Sequence, residues 1–311
     1  MTMALLFKST YDDSPAWRQY LREHIPDLEV RSWHDVGDPA AIEFALVWKP
    51  GEGYLGQYPN LRVIFSLGAG VDHIFADSLL PEGVPVVRIV DADLSAQLSE
   101  YAIHGVLHFH RRMPYYLECN ARKEWGEPGR TDASQAIVAV LGLGNVGSDL
   151  APKLRRLGFK VRGWSRTPKA LTDIECYHGE RELEAALRGA NFLVCALPLT
   201  ESTKEIINAR TLAGLSQGAY VINIGRGDHV VDRDLLEALD QGRLAGAMLD
   251  VFRQEPLPPD HEFWTDRRIR ITPHIAGDPS ARTAARQVAE NILRAQRGEP
   301  LQNVVNSMAG Y

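Results

Sequence analysis

Short apolar runs alternate with amphipathic stretches along the whole chain. The runs Ala4–Phe7, Leu28–Val30, Phe44–Trp48, Val63–Leu67 and Val84–Val90 have strand length and lie between turn-forming residues. Between the first two, Ser14-Pro15 reads as a cap followed by proline at the first helical position, predicting a helix to about Glu23. After a loop at Trp125–Ser134 the alternation restarts more strongly. It predicts strands at Ile137–Leu141, Lys160–Trp164, Phe192–Ala196, Ala219–Ile224, Gly246–Leu249 and Ile269–Ile271. Strands alternating with helices in this way predict parallel sheets covered by helices.

Three helical stretches stand out. An amphipathic segment spans about Ser95 to Cys119, and Pro114 inside it should kink or end the helix. Leu235–Leu239 reads as helical, capped by Asp232 and stopped near Gly242. The last helix runs from about Ser280 to Arg297, with Gly298 as its stop. The chain divides naturally into two βα modules, with the boundary near the start of the long helix.

Composition narrows the function classes. The 311 residues carry 34 basic and 40 acidic side chains, a net charge of −6, which argues against a nucleic-acid coat. The three cysteines, Cys119, Cys176 and Cys195, form no Cys-x-x-Cys pair. A disulfide scaffold is not expected, and a reducing cytoplasm is. No apolar stretch approaches the roughly 18 residues of a membrane span. The run Met3–Phe7 is too short for a secretory signal.

The apolar run ending at Leu141 leads into Gly142-Leu143-Gly144-Asn145-Val146-Gly147 and then a helical pattern, Ser148 to Leu157. In that setting G-x-G-x-x-G makes a dinucleotide turn. The first glycine permits the tight turn, the second admits a pyrophosphate, and the third lets helix and strand pack closely. The next strand ends in Trp164-Ser165-Arg166-Thr167, close to the spacing of about 20 residues at which an acidic group would read the adenosine ribose. Here Ser165 is neutral and Arg166 can pair with a 2′-phosphate, with Lys169 as a second cation. NADPH is therefore expected over NADH.

Further chemistry sits at predicted strand ends. Gly225-Arg226-Gly227 follows Asn223-Ile224, Glu255 follows Leu249-Asp250-Val251-Phe252, and His274 closes Thr272-Pro273-His274. An arginine can hold a carboxylate bidentately. A histidine can protonate an alkoxide as hydride arrives, and a carboxylate beside it stabilises the imidazolium. The set suits reduction of a small anionic 2-oxo acid.

These ordered motifs, with Glu255-Pro256-Leu257-Pro258 and Ile275-Ala276, resemble the D-isomer-specific 2-hydroxyacid dehydrogenase family over essentially the whole chain. Within it the chain is similar to the glyoxylate/hydroxypyruvate reductase A subgroup. That likeness is carried by Ala45-Leu46-Val47-Trp48, the 66–72 loop, the 164–167 turn, the 246–252 run and the terminal Gly310-Tyr311. The resemblance implies an α/β fold of two doubly wound parallel-sheet domains. A Rossmann coenzyme domain at 101–276 would be inserted in a flavodoxin-like substrate domain at 1–100 and 277–311, with a cleft between them. It implies Arg226 as substrate binder, His274 as acid/base and Glu255 as its partner. Cofactor contacts would come from Gly142, Gly144, Asn145, Val146, Gly147, Ser165, Arg166, Thr167, Leu197-Pro198-Leu199, Ile224, Gly277 and Asp250, the last facing the carboxamide. Gly68, Ala69 and Gly70 would bind the substrate carboxylate, and Trp48 would limit substrate size. A homodimer is implied through the helix around residues 95–119. Alternatives are an NAD-linked dehydrogenase of a bulkier 2-oxo acid and a nucleotide-sensing corepressor-like protein. His104 and His108 have i, i+4 spacing, but no acidic residue follows His104 and the chemistry needs no metal, so none is expected.

Overall fold

The computed structural model describes residues 3–9, 14–129 and 131–306. Gly310-Tyr311 lies outside them. The chain divides into two units, Met1–Leu94 with Asp278–Tyr311, and Ser95–Gly277.

The first unit holds a parallel sheet of β1 (Ala4–Lys8), β2 (Glu29–Ser32), β3 (Ile42–Val47), β4 (Val63–Ser66) and β5 (Val86–Val87), in the order β2-β1-β3-β4-β5. This is the flavodoxin-like order. Successive residues of β1 face opposite cores: Leu5 and Phe7 pack on one side, Ala4 and Leu6 on the other. Burial on both faces explains why the strands read as continuous apolar runs rather than alternating ones. Helix α1 (Ser14–His24) covers one face, and α2 (Asp72–Phe75) follows β4.

Next, α3 (Ala92–His110) and α4 (Met113–Arg122) replace the single broken helix read from sequence. The break falls at Arg112, which is left-handed at φ 55°, and Pro114 sits in the first turn of α4. Proline is tolerated there because its missing N–H would be unpaired in any case.

In the second unit the elements follow in the order β6 (Ile137–Leu141), α5 (Asn145–Arg156), β7 (Lys160–Ser165), β8 (Glu175–His178), α6 (Gly179–Leu187), β9 (Phe192–Cys195), α7 (Ala209–Ala213), β10 (Ala219–Asn223), α8 (Asp232–Asp240), β11 (Leu244–Leu249) and β12 (Ile269–Ile271). The sheet order is β12-β11-β10-β9-β6-β7-β8, with every pairing parallel. This is the Rossmann order with one further strand, and its strand order reverses beside β6. Strand β8 escaped the sequence pattern because none of its residues is fully buried. Asp232 is the first residue of α8, not its cap. The extended Val231 takes the cap position, and the Asp232 carboxylate faces Arg253 and His261 instead. Burial raises its pKa.

The final helix, α9 (Ala281–Arg297), packs on α1 and β4 through Ala284, Ala285, Val288, Ala289 and Ile292 and ends at the left-handed Gly298. Among the described residues, no helix is long and apolar enough to cross a membrane.

Candidate active site

All strands of the second sheet are parallel, so the loops after β6, β7, β9, β10, β11 and β12 emerge at one edge. Ligands of open α/β sheets collect at that edge. The glycine turn follows β6. Gly142 has φ 99°, and a Cβ there would meet the Ala196 carbonyl at 2.6 Å. A Cβ on Gly147 would lie 1.7 Å from the Gly142 carbonyl. These two glycines serve the fold. Gly144 differs, because a Cβ there meets nothing within 4 Å. The exposed Gly144 and Asn145 open the amino end of α5, a helix with no acidic residue in its first turn. Open space in front of a helix N-terminus fits a dinucleotide pyrophosphate.

Beyond β7, the buried Ser165 donates its hydroxyl to the Thr167 carbonyl at 2.8 Å. The resulting turn carries Arg166 and Thr167 outward, both exposed. After β9, Leu197 is buried while Pro198 and Leu199 are half-buried. Thr203 donates to the Pro198 carbonyl at 2.7 Å and holds this segment in place.

The ionisable groups gather after β10, β11 and β12, three neighbouring strands. His274 Nδ1 lies 2.9 Å from Glu255 Oε2, and the other Glu255 oxygen accepts from the Phe252 N–H at 3.1 Å. Both side chains are largely shielded, with 31% and 15% exposed. The contact holds the Nδ1 edge of the ring against the carboxylate. His274 is left-handed at φ 55°. Non-glycine residues adopt that conformation at a cost, typically where the surroundings enforce it.

The enforcing group is Asp250. It is buried, and its carboxylate accepts from the Thr272 hydroxyl at 2.6 Å and from the Ile275 and Ala276 N–H groups at 2.9 Å each. Its carbonyl accepts from the His274 N–H at 2.8 Å. The Tyr101 hydroxyl bonds Thr272 from α3, and burial pushes its pKa up to about 12.

Arg226 is half-buried, and its Nη1 donates to the Gly225 carbonyl at 2.8 Å. A Cβ on Gly227 would overlap the Phe252 backbone at 1.8 Å, so no side chain fits between the arginine loop and the strand-β11 loop. Ile224 is buried and Gly277 half-buried.

At the carboxyl edge of the first sheet, Ser66 shapes the 68–70 loop. Its hydroxyl donates to the Gly70 carbonyl at 2.8 Å and accepts from the Gly68 N–H at 3.2 Å. The Trp48 indole leans on His73, with ring centroids 4.3 Å apart. It also covers Gly68, where a Cβ would meet the indole at 2.9 Å. Ala69 and Gly70 are half-buried.

Two residues to which the sequence assigns no role shape the arginine loop: Asn223 and His229, both fully buried. Their sequence signal is slight, a polar residue at the end of a buried strand and a histidine three positions after the arginine.

A profile for the NAD-binding domain of D-isomer specific 2-hydroxyacid dehydrogenases matches residues 103–276. A glyoxylate/hydroxypyruvate reductase A from Photorhabdus laumondii is 39% identical over 314 residues, covering 99% of this chain and 100% of that one. A D-isomer specific 2-hydroxyacid dehydrogenase from Xanthobacter autotrophicus, crystallised with NADPH and MES, has a TM-score of 0.95 at 40% identity, covering 100% of each chain. The NADPH-dependent glyoxylate/hydroxypyruvate reductase from Sinorhizobium meliloti, in complex with NADP and sulfate, has a TM-score of 0.91 at 36% identity, covering 99% of this chain and 100% of that one.

Proposed function

The chain belongs to the D-isomer-specific 2-hydroxyacid dehydrogenase family, and from that membership we propose that it reduces small 2-oxo acids, glyoxylate and hydroxypyruvate first, with NADPH. The observation that carries the reading is the His274–Glu255 pair, held by Asp250 at the strand edge that also bears the dinucleotide turn.

A bound reduced nicotinamide supplies hydride to the carbonyl carbon. Protonated His274 gives its Nε2 proton to the carbonyl oxygen, and Glu255 remains a carboxylate that stabilises the imidazolium. Arg226 takes the substrate carboxylate through its guanidinium. Gly142 to Gly147 cradle the pyrophosphate, and Arg166 pairs with the 2′-phosphate on the Ser165–Thr167 turn. The 197–199 segment, Ile224, Asp250 and Gly277 complete the cofactor side. The second unit is thereby the coenzyme domain and the first the substrate domain. There the Ala69 and Gly70 N–H groups receive carboxylate, and Trp48 restricts substrate size.

The working form is a cytoplasmic homodimer. The exposed apolar side chains Met113, Tyr115, Tyr116 and Leu117 of α4, with Trp125 at 94% exposure, favour self-association. Replacing His274 with alanine tests the chemistry. Reductase turnover falls about 10²- to 10⁴-fold while the melting temperature holds. A variant that keeps its rate refutes the assignment.

A further inference from the structure

The backbone of Arg226 is tethered on both sides by side chains that belong to no assigned site. Its carbonyl accepts from Asn223 Nδ2 at 2.8 Å, and its N–H donates to His229 Nδ1 at 2.9 Å. The other ring nitrogen, Nε2, lies 3.3 Å from the Pro198 carbonyl. A backbone N–H can only donate and a carbonyl can only accept. One form of the ring satisfies both contacts, the neutral imidazole with its proton on Nε2. The histidine is itself anchored, since its carbonyl accepts from the Ile207 N–H at 2.8 Å. The glycine before the arginine is part of the arrangement, because a Cβ on Gly225 would press on His229 Nδ1 at 2.8 Å.

We propose that His229 is a positioning residue for the reduction. Its neutral imidazole fixes the backbone that aims the Arg226 guanidinium and ties it to the 197–199 cofactor segment. The inference rests on reading Arg226 as the carboxylate binder. It goes further in placing the control of that arginine in a fully buried ring. A purely structural histidine would affect folding alone, whereas a positioning one must move substrate affinity.

Three variants separate these roles. His229→Phe keeps a ring and removes both nitrogens. His229→Asn returns an amide oxygen near the place of Nδ1. His229→Gln reaches toward Pro198 without serving Arg226, and stands in for His229→Phe should that variant not fold. The expected result is a rise of about 10-fold in the glyoxylate KM for His229→Phe, the effect of one unpaired buried donor, with kcat and the NADPH KM changed less than about threefold. His229→Asn should return most of the glyoxylate KM, and His229→Gln should not. Amide hydrogen exchange over residues 224–228 reads the tether without turnover, and should be faster in His229→Phe and His229→Gln than in His229→Asn. If the wild-type chain reduces no 2-oxo acid, the reading of Arg226 falls, while exchange still reports on the tether. Equal KM values and equal exchange in the Asn and Phe (or Gln) variants would overturn the proposal.

Discussion

The turn after β12 and the turn after β7 lie on the same sheet edge and are built in opposite ways. After β12, His274 is left-handed, paired with Glu255, and enclosed by hydrogen bonds to a buried carboxylate. After β7, Arg166 stands exposed on a turn closed by the Ser165 hydroxyl. The first arrangement fixes an imidazole in place, which the proposed proton transfer requires. The second leaves a cation exposed to solvent, where on the proposed reading it would meet a ligand phosphate. On the proposed reading, chemistry is placed on the more constrained turn and cofactor choice on the more exposed one.

The largest expected effect breaks the constrained side. Glu255→Gln should lower kcat by about 10²-fold or more, because the imidazolium loses its charge partner. The activity lost should not return with more cofactor. On the exposed side, Arg166→Ala should reduce the NADPH-to-NADH ratio of kcat/KM about 10- to 100-fold, the value of a charge-assisted hydrogen bond. It should leave NADH kinetics nearly unchanged. An unaltered ratio would remove Arg166 from cofactor selection.

Two glycines sharpen the contrast within the dinucleotide turn. Gly142→Ala forces a Cβ onto the Ala196 carbonyl at positive φ and should lower stability by about 1–3 kcal/mol, read as a drop in melting temperature. Gly144→Ala meets open space, so its melting temperature should hold while the NADPH KM rises. The smallest effect concerns Tyr101. Its folded pKa of about 12 lies above the ordinary phenol value of 10.0, so folding favours the neutral ring. That contribution is complete below pH 10.0 and is lost as pH rises toward about 12. Tyr101→Phe should therefore melt with a flatter pH profile across that window than the wild type.

Much of the fold was legible because the inner strands of both sheets are buried on both faces, which writes most of them as nearly unbroken apolar runs. β8 was not, since Glu175-Cys176-Tyr177-His178 is a half-exposed edge strand without an apolar pattern. The helix break was misplaced by two residues because proline tolerates a first turn, and the interruption is the left-handed Arg112. Asp232 read as a cap because aspartate commonly is one, yet burial beside Arg253 and His261 gave it other partners. At the site, Arg226, Glu255 and His274 could be placed at strand ends from spacing. The work of Asp250 and His229 could not, because it consists of hydrogen bonds across loops distant in sequence.

The central claim is that this strand edge reduces small 2-oxo acids with NADPH. The most direct test is a panel of 2-oxo acids of increasing size, each assayed with NADPH and NADH in parallel on the wild-type chain. Fastest turnover of glyoxylate and hydroxypyruvate, with NADPH preferred, is the expected result. No turnover of any member, or a preference for bulky 2-oxo acids with NADH, would contradict it.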